Sequence, residues 1–218
     1  MKLILSTLKI IVCFLASLCK YCWGEKIKYV IFVLKREFIT SLYKDGFKSF
    51  GHDSLLGIDL LLLNTKYISI GNGSSIGARS TLTCYDTKTS DQMKTLEPSI
   101  NIGDGVSVGE DAHITCINKI IIGNNVLMGK KVLITDNSHG NSEKSTLYIA
   151  PSKRLLHSKG PVIIEDNVWI GEKASIMPGV CIGKGAIIGA NAVVTSDVPA
   201  FSVAVGIPAK IINKENEK

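Results

Sequence analysis

The side chains able to move a proton near neutral pH are few: His52, His113, His139 and His157 in a chain of 218 residues. A neutral imidazole, titrating near ~6.5, is suited to act as general base toward a weak nucleophile such as an alcohol. His139 stands in Asp136-Asn137-Ser138-His139-Gly140-Asn141, a run of turn-forming polar residues. His157 follows in the same stretch and is the rival base. Neither a nucleophile elbow nor a Cys–His pairing points to a covalent intermediate, so direct transfer is the simpler chemistry. The histidines are too isolated to supply the three ligands of a catalytic zinc, and no metal is expected. Six cysteines (Cys13, Cys19, Cys22, Cys84, Cys116, Cys181) show no disulfide-framework spacing. Cys19-x-x-Cys22 lacks the second pair that a structural zinc site uses, and reduced thiols are the simpler reading.

The elements that must hold these residues follow from a period of six. Aliphatic residues recur as Ile70, Ile76, Leu82; Ile102, Val108, Ile114; Ile122, Met128, Ile134; and Ile164, Ile170, Ile176, Ile182, Ile188, Val194. In twelve complete hexads the fifth residue is always Ser, Ala or Val, and the second is Gly in nine. On a helix, six residues spread such positions over several faces. In an extended chain an even step returns each side chain to the same face. Short strands with a bend every six residues therefore close into a three-sided coil, with the aliphatic residue inward and the small residue at the corner. Gly at the second position is expected to accept unusual backbone angles at the bend. Successive coils stack about 4.8 Å apart, and each covers the apolar face of the next. Two interruptions, residues 83–99 and 135–163, are expected to be loops at corners, where function commonly resides.

This is identified as the hexapeptide repeat of left-handed β-helix proteins, and the handedness is taken from that resemblance. The expected fold is all-β: a left-handed parallel β-helix solenoid over residues 51–212, with loop 135–163 protruding. A helical N-terminal segment, 1–50, precedes it and a polar tail, 213–218, follows. Asn167-Val168-Trp169-Ile170-Gly171, Pro178-Gly179-Val180, Ile188-Gly189-Ala190 and Val205-Gly206-Ile207-Pro208-Ala209-Lys210 resemble hexapeptide-repeat O-acetyltransferases. That group acts on galactosides, maltose, and capsule or O-antigen sugars. Gly123 to His139 aligns with it without gaps and ends on its catalytic base.

The resemblance implies an enzyme that moves acetyl from acetyl-CoA to a sugar hydroxyl, with His139 as base. It maps donor contacts to Gly171, Ala190, Thr195 and Lys210, and weaker acceptor contacts to Asp111, His113 and Asn137. Trp169 is read as a packing residue near the donor groove. Glu172, Ser196 and Asn213 depart from the family's usual residues around the donor phosphates. A homotrimer with sites between subunits is implied as well. Alternatives on the same fold are a xenobiotic or serine acetyltransferase, although the long helical domain of the latter is missing, and a non-catalytic scaffold.

Charge bears on partners. Nine Lys/Arg against three acids in residues 1–50 account for the whole net charge of +6, leaving the remainder neutral. A neutral main domain argues against nucleic-acid binding. Leu3 to Cys19 is apolar but short for a span and is broken by Lys9. A second apolar run, Ile27 to Leu34, leads into Lys35 and Arg36. Basic and bulky apolar residues together suit peripheral contact with an anionic membrane face; packing on the main domain and a true span are the other readings. Because acetyl-CoA is intracellular, the expected location is cytoplasmic, at the inner face of the cytoplasmic membrane.

Overall fold

A computed structural model of the chain describes residues 9–17, 24–86 and 97–212. Cys19, Cys22, Asn213, the tail 213–218 and the centre of the first interruption lie outside the described residues. The chain winds through three sheets in rotation. The first side orders Ser49–Phe50, Ile68–Ile70, Ser99–Ile102, Lys119–Ile122, Val162–Ile164 and Cys181–Ile182. The second runs Ser75–Ile76, Ser107–Val108, Leu127–Met128, Trp169–Ile170, Ile187–Ile188, Val203–Val205 and Lys210–Ile212. The third runs Leu61–Leu63, Thr81–Cys84, His113–Cys116, Leu133–Thr135, Ser175–Ile176 and Val193–Val194. Neighbours in each sheet are parallel, except the last pair of the second side.

The six-residue marks line the interior. Every aliphatic mark from Ile70 to Val194 is at most 3% exposed, and so are the small residues at the fifth positions. In the early coils a corner hydroxyl also bonds between layers. Ser74 Oγ donates to the Gly103 carbonyl at 2.8 Å and accepts from the Val106 amide at 3.0 Å. A buried polar group is tolerated there because both of its roles are filled.

The repeat also reaches one coil further back than Ile70. Phe50, Leu56 and Leu62 fall on the same period, with Gly51 and Gly57 second and Ser54 and Leu60 fifth. Ser49–Phe50 pairs in register with Ser69–Ile70, and Phe47 is already in the core. The solenoid thus begins before residue 51. Leu60, too large for an ordinary corner, hides this first coil in the sequence.

The explanation for the second-position glycines needs correction. Their φ angles are ordinary, and the bend's positive φ falls on the fourth residue, as at Arg79, Asp111, Asn125, Lys131, Asn167, Lys173 and Asn191. Glycine is required at the second position because coils touch there. A Cβ on Gly109 would lie 2.3 Å from the Gly129 carbonyl oxygen, and one on Gly129 would lie 2.6 Å from the Glu172 amide.

Along the edge between the first and second sides, third-position side chains hold the coils together. Asn72, Asp104, Asn124 and Asp166 each accept, through Oδ1, the amide of the residue one coil earlier, at 2.6–3.1 Å. Both ends of the stack are closed. Helix Glu25–Tyr43 lies on the first coil: Arg36 donates to the carbonyls of Leu55 and Leu56, and Thr40 Oγ1 accepts the Leu56 amide at 2.8 Å. Much of the rest of that helix is exposed and apolar, including Tyr29, Leu34, Phe38 and Leu42. Among the described residues no helix is long and apolar enough to cross a membrane. At the other end Val203–Val205 and Lys210–Ile212 pair antiparallel, so the final strand does not continue the parallel ladder.

Candidate active site

All departures from the six-residue step fall on one edge, where the chain passes from the third side to the first. The step is eight residues from Leu62 to Ile70, twenty from Leu82 to Ile102, eight from Ile114 to Ile122 and thirty from Ile134 to Ile164. His139 stands on the longest of these excursions. Ser138–His139 pairs antiparallel with Leu156–His157, with Ser138 opposite His157 and His139 opposite Leu156. The Gly140 amide donates to the Leu155 carbonyl at 3.0 Å, and Ser138 Oγ donates to the Gly140 carbonyl at 2.9 Å. Side chains alternate along a strand, so His139 and His157 face opposite sides of this hairpin. The rival base therefore does not share a face with His139. The His139 ring is exposed, and among the described residues no side chain hydrogen-bonds to it.

The root of the loop is rigid. Asp136 is fully buried, and its carboxylate accepts from four donors. The Ile117 amide reaches Oδ1 at 2.9 Å, the Asn118 amide reaches Oδ2 at 2.8 Å, Asn137 Nδ2 reaches Oδ1 at 3.1 Å, and the Cys116 thiol reaches Oδ2 at 3.1 Å. Its bond with Cys84, burial, and the nearby Asp136 all push the Cys116 thiol up, so it remains a donor. No feature of the sequence separates Asp136 from an ordinary solvated turn aspartate.

The expected acceptor contacts are less free than their types suggest. Asn137 spends its amide on Asp136 and on the Thr115 carbonyl at 3.3 Å. Asp111 forms a two-pronged ion pair with Arg79 Nε and Nη2 at 2.8 and 3.0 Å, and Glu110 accepts from the same Nη2 at 2.9 Å. Hydrogen bonds from Arg79 hold both carboxyls below the usual range. Asp111 lies on the edge between the second and third sides. His113 is exposed on the third side, in register with Leu133, whose strand leads into the His139 loop.

The donor positions divide between two edges. Ala190 and Lys210 are exposed near the second–third edge, where the Ala209 amide donates to the Val193 carbonyl at 2.8 Å. Thr195 is exposed just past Val193–Val194, on the edge that carries the His139 loop two coils earlier. Gly171 is buried, because the Ala190 backbone stacks on it, 2.5 Å from where a Cβ would stand. The close approach of the two backbones shapes this edge. Trp169 is 53% exposed on the outer face of the second side, between Leu127 and Ile187, and not packed inside. A small exposed residue, a hydroxyl and an exposed ammonium suit a long phosphate-bearing donor such as acetyl-CoA. Among the described residues no three His, Cys, Asp or Glu side chains gather as metal ligands would.

Residues 161–196 match the family described as bacterial transferase hexapeptide (six repeats). The chain carries the hexapeptide repeat of the bacterial transferases. Over 106 residues it is 41% identical to WbbJ of Escherichia coli (strain K12), covering 47% of this chain and 54% of that one. WbbJ is provisionally named a lipopolysaccharide biosynthesis O-acetyl transferase. Over 60 residues it is 57% identical to a 2,3,4,5-tetrahydropyridine-2,6-dicarboxylate N-acetyltransferase of Staphylococcus aureus (strain JH9), covering 28% of this chain and 25% of the relative. The chain thus spans about half or less of the length of these curated relatives. Among solved structures, a point mutant of AntD, an N-acyltransferase from Bacillus cereus in complex with a dTDP-amino sugar and coenzyme A, shares the fold. The TM-score is 0.64 at 21% identity, over 81% of this chain and 89% of that one.

Proposed function

We propose that this hexapeptide-repeat chain, coiled left-handed as the resemblance implies, is an acetyl-CoA-dependent O-acetyltransferase acting on a sugar hydroxyl in surface-polysaccharide biosynthesis. The observation that carries the reading is His139, exposed on a hairpin whose root is fixed by a buried carboxylate, at the interrupted edge of an otherwise regular stack. The likeness to WbbJ supports oxygen as the acceptor atom.

A sugar alcohol needs its proton removed as it attacks. The His139 ring takes that proton while the new C–O bond forms and the C–S bond of the donor thioester breaks; the imidazolium then returns the proton to the leaving thiolate. Bound acetyl-CoA supplies the activated acyl group. Ala190 leaves room for its arm, Thr195 offers a hydroxyl, and Lys210 faces its phosphates.

His139 and the Ala190–Lys210 pair lie on different edges of one protomer. A site completed by the edge of a second prism, in a homotrimer, brings them together. The apolar row of exposed Leu127 and Trp169 and half-buried Ile187 offers surface for such packing. The exposed apolar face of Glu25–Tyr43 supports peripheral contact with the inner face of the cytoplasmic membrane. A protein that fractionates as wholly soluble, with or without residues 1–50, would remove that placement.

The test of the reaction is CoA release from acetyl-CoA across a panel of glycans, comparing wild type with His139→Ala. A loss of at least ~10²-fold is expected on removing a general base. An unchanged rate would end the assignment of His139. The likeness to an N-acetyltransferase favours an amine acceptor as a second reading, so the panel includes amino sugars and the product is checked for ester against amide.

A further inference from the structure

The buried carboxylate of Asp136 calls for a role that the reaction as described does not give it. It follows Thr135, the last residue of its strand, and precedes His139 by three positions. Burying an ionised carboxylate is costly unless its oxygens are satisfied, and here each oxygen takes two donors. Two of those donors are consecutive backbone amides, Ile117 and Asn118, from the turn one coil earlier. A third is the side chain of Asn137, which ties the next residue of the loop to the same point. The carboxylate thus joins the turn of one coil to the root of the excursion that leaves the next. The hairpin beyond is only two residues long on each strand; the first strand leaves the solenoid at this root, and the second rejoins it at Ser158, whose hydroxyl Asn118 Nδ2 meets at 3.5 Å. Asn137, one residue nearer to His139, adds a longer bond to the Thr115 carbonyl at 3.3 Å, and Asp136 holds that side chain in place.

We propose that Asp136 is a positioning residue for His139: by gathering the 116–118 turn and Asn137, it fixes the direction in which the hairpin presents the imidazole. This rests on His139 being the base. Asp136 touches neither acceptor nor donor. It acts through the geometry of the loop root, where small displacements of a base carry large rate costs.

Asp136→Asn is nearly isosteric but turns an acceptor into an N–H₂ group facing existing donors, so at least one buried bond is lost. Full-length wild type, Asp136→Asn, His139→Ala and the double variant are compared by amide hydrogen exchange, by CoA binding and by CoA release from acetyl-CoA with glycan acceptors. Expected for Asp136→Asn is exchange of the Ile117, Asn118 and Gly140 amides faster by about tenfold or more, the scale of one unsatisfied buried group. Amides of the three sheets elsewhere, and CoA affinity, stay within about twofold. The rate falls about tenfold or more, and the double variant is no slower than His139→Ala, since a residue acting only through the base has nothing left to position. Unchanged exchange at Gly140 overturns the proposal, as does a double variant clearly slower than His139→Ala. If His139→Ala alone keeps its rate, the reading of the base fails first and the positioning role falls with it. If His139→Ala is inactive while Asp136→Asn turns over normally, only the positioning role falls.

Discussion

The edge between the first and second sides and the edge between the third and first sides bound the same interior and are used in opposite ways. On the first, every passage takes six residues from mark to mark, from Phe50–Leu56 to Ile182–Ile188. Its side chains bond to the neighbouring coil and to little else. On the second, only Ile176 to Ile182 keeps the step, and the insertions gather there. A stack of coils is held by contacts between adjacent layers, so one edge can vary as long as the other two keep the register. In the proposed reading the variable edge presents the base, while the constant edges keep the register of the fold and carry part of the donor groove.

Substitutions can break or sharpen this division. Ile170→Ala, at a fully buried mark, is expected to cost about 2–5 kcal/mol in urea denaturation and so to lower activity only by unfolding the protein. His139→Ala should do the reverse, with a rate loss of at least ~10²-fold and a denaturation midpoint close to wild type, because the side chain is exposed. If it also destabilised the protein strongly, the two edges would not be separable. Gly129→Ala places a Cβ against the Glu172 backbone and should cost about 1–3 kcal/mol by the same measurement. No cost there would mean that the coils can part locally without harm. Lys210→Ala should weaken CoA binding by calorimetry only a few-fold, the scale of an exposed ion pair. Tyr148→Ala, 84% exposed on the long loop, should change stability by less than about 0.5 kcal/mol.

What could be read in the sequence follows the same division. The constant edges were legible because burial and period coincide: Ile70 through Val194 occupy the interior positions that the count of six assigned to them. The first coil escaped because Leu60 breaks the small-residue rule. The reason for the glycines was misplaced because composition marks where a side chain is missing, and only the stacked backbone shows what it would strike. On the variable edge, His139 stood out by chemistry and resemblance. Asp136 did not, since its partners, Ile117 and Asn118, belong to another coil. Asn137 and Asp111 looked available because the sequence does not show which partner a polar group has already taken. That the Ala190 backbone lies over Gly171 is likewise visible only in the stacked coils.

The column of Asn72, Asp104, Asn124 and Asp166 alternates amide and carboxylate step by step. Successive layers sit about 4.8 Å apart, so like charges recur at roughly twice that distance, beyond the ~8 Å over which physiological salt leaves repulsion strong. Inheritance by tandem copying would feel this rule. Duplicating two turns of the coil preserves the alternation, while losing a single inner one, such as that of Asn124, would bring two negative groups face to face.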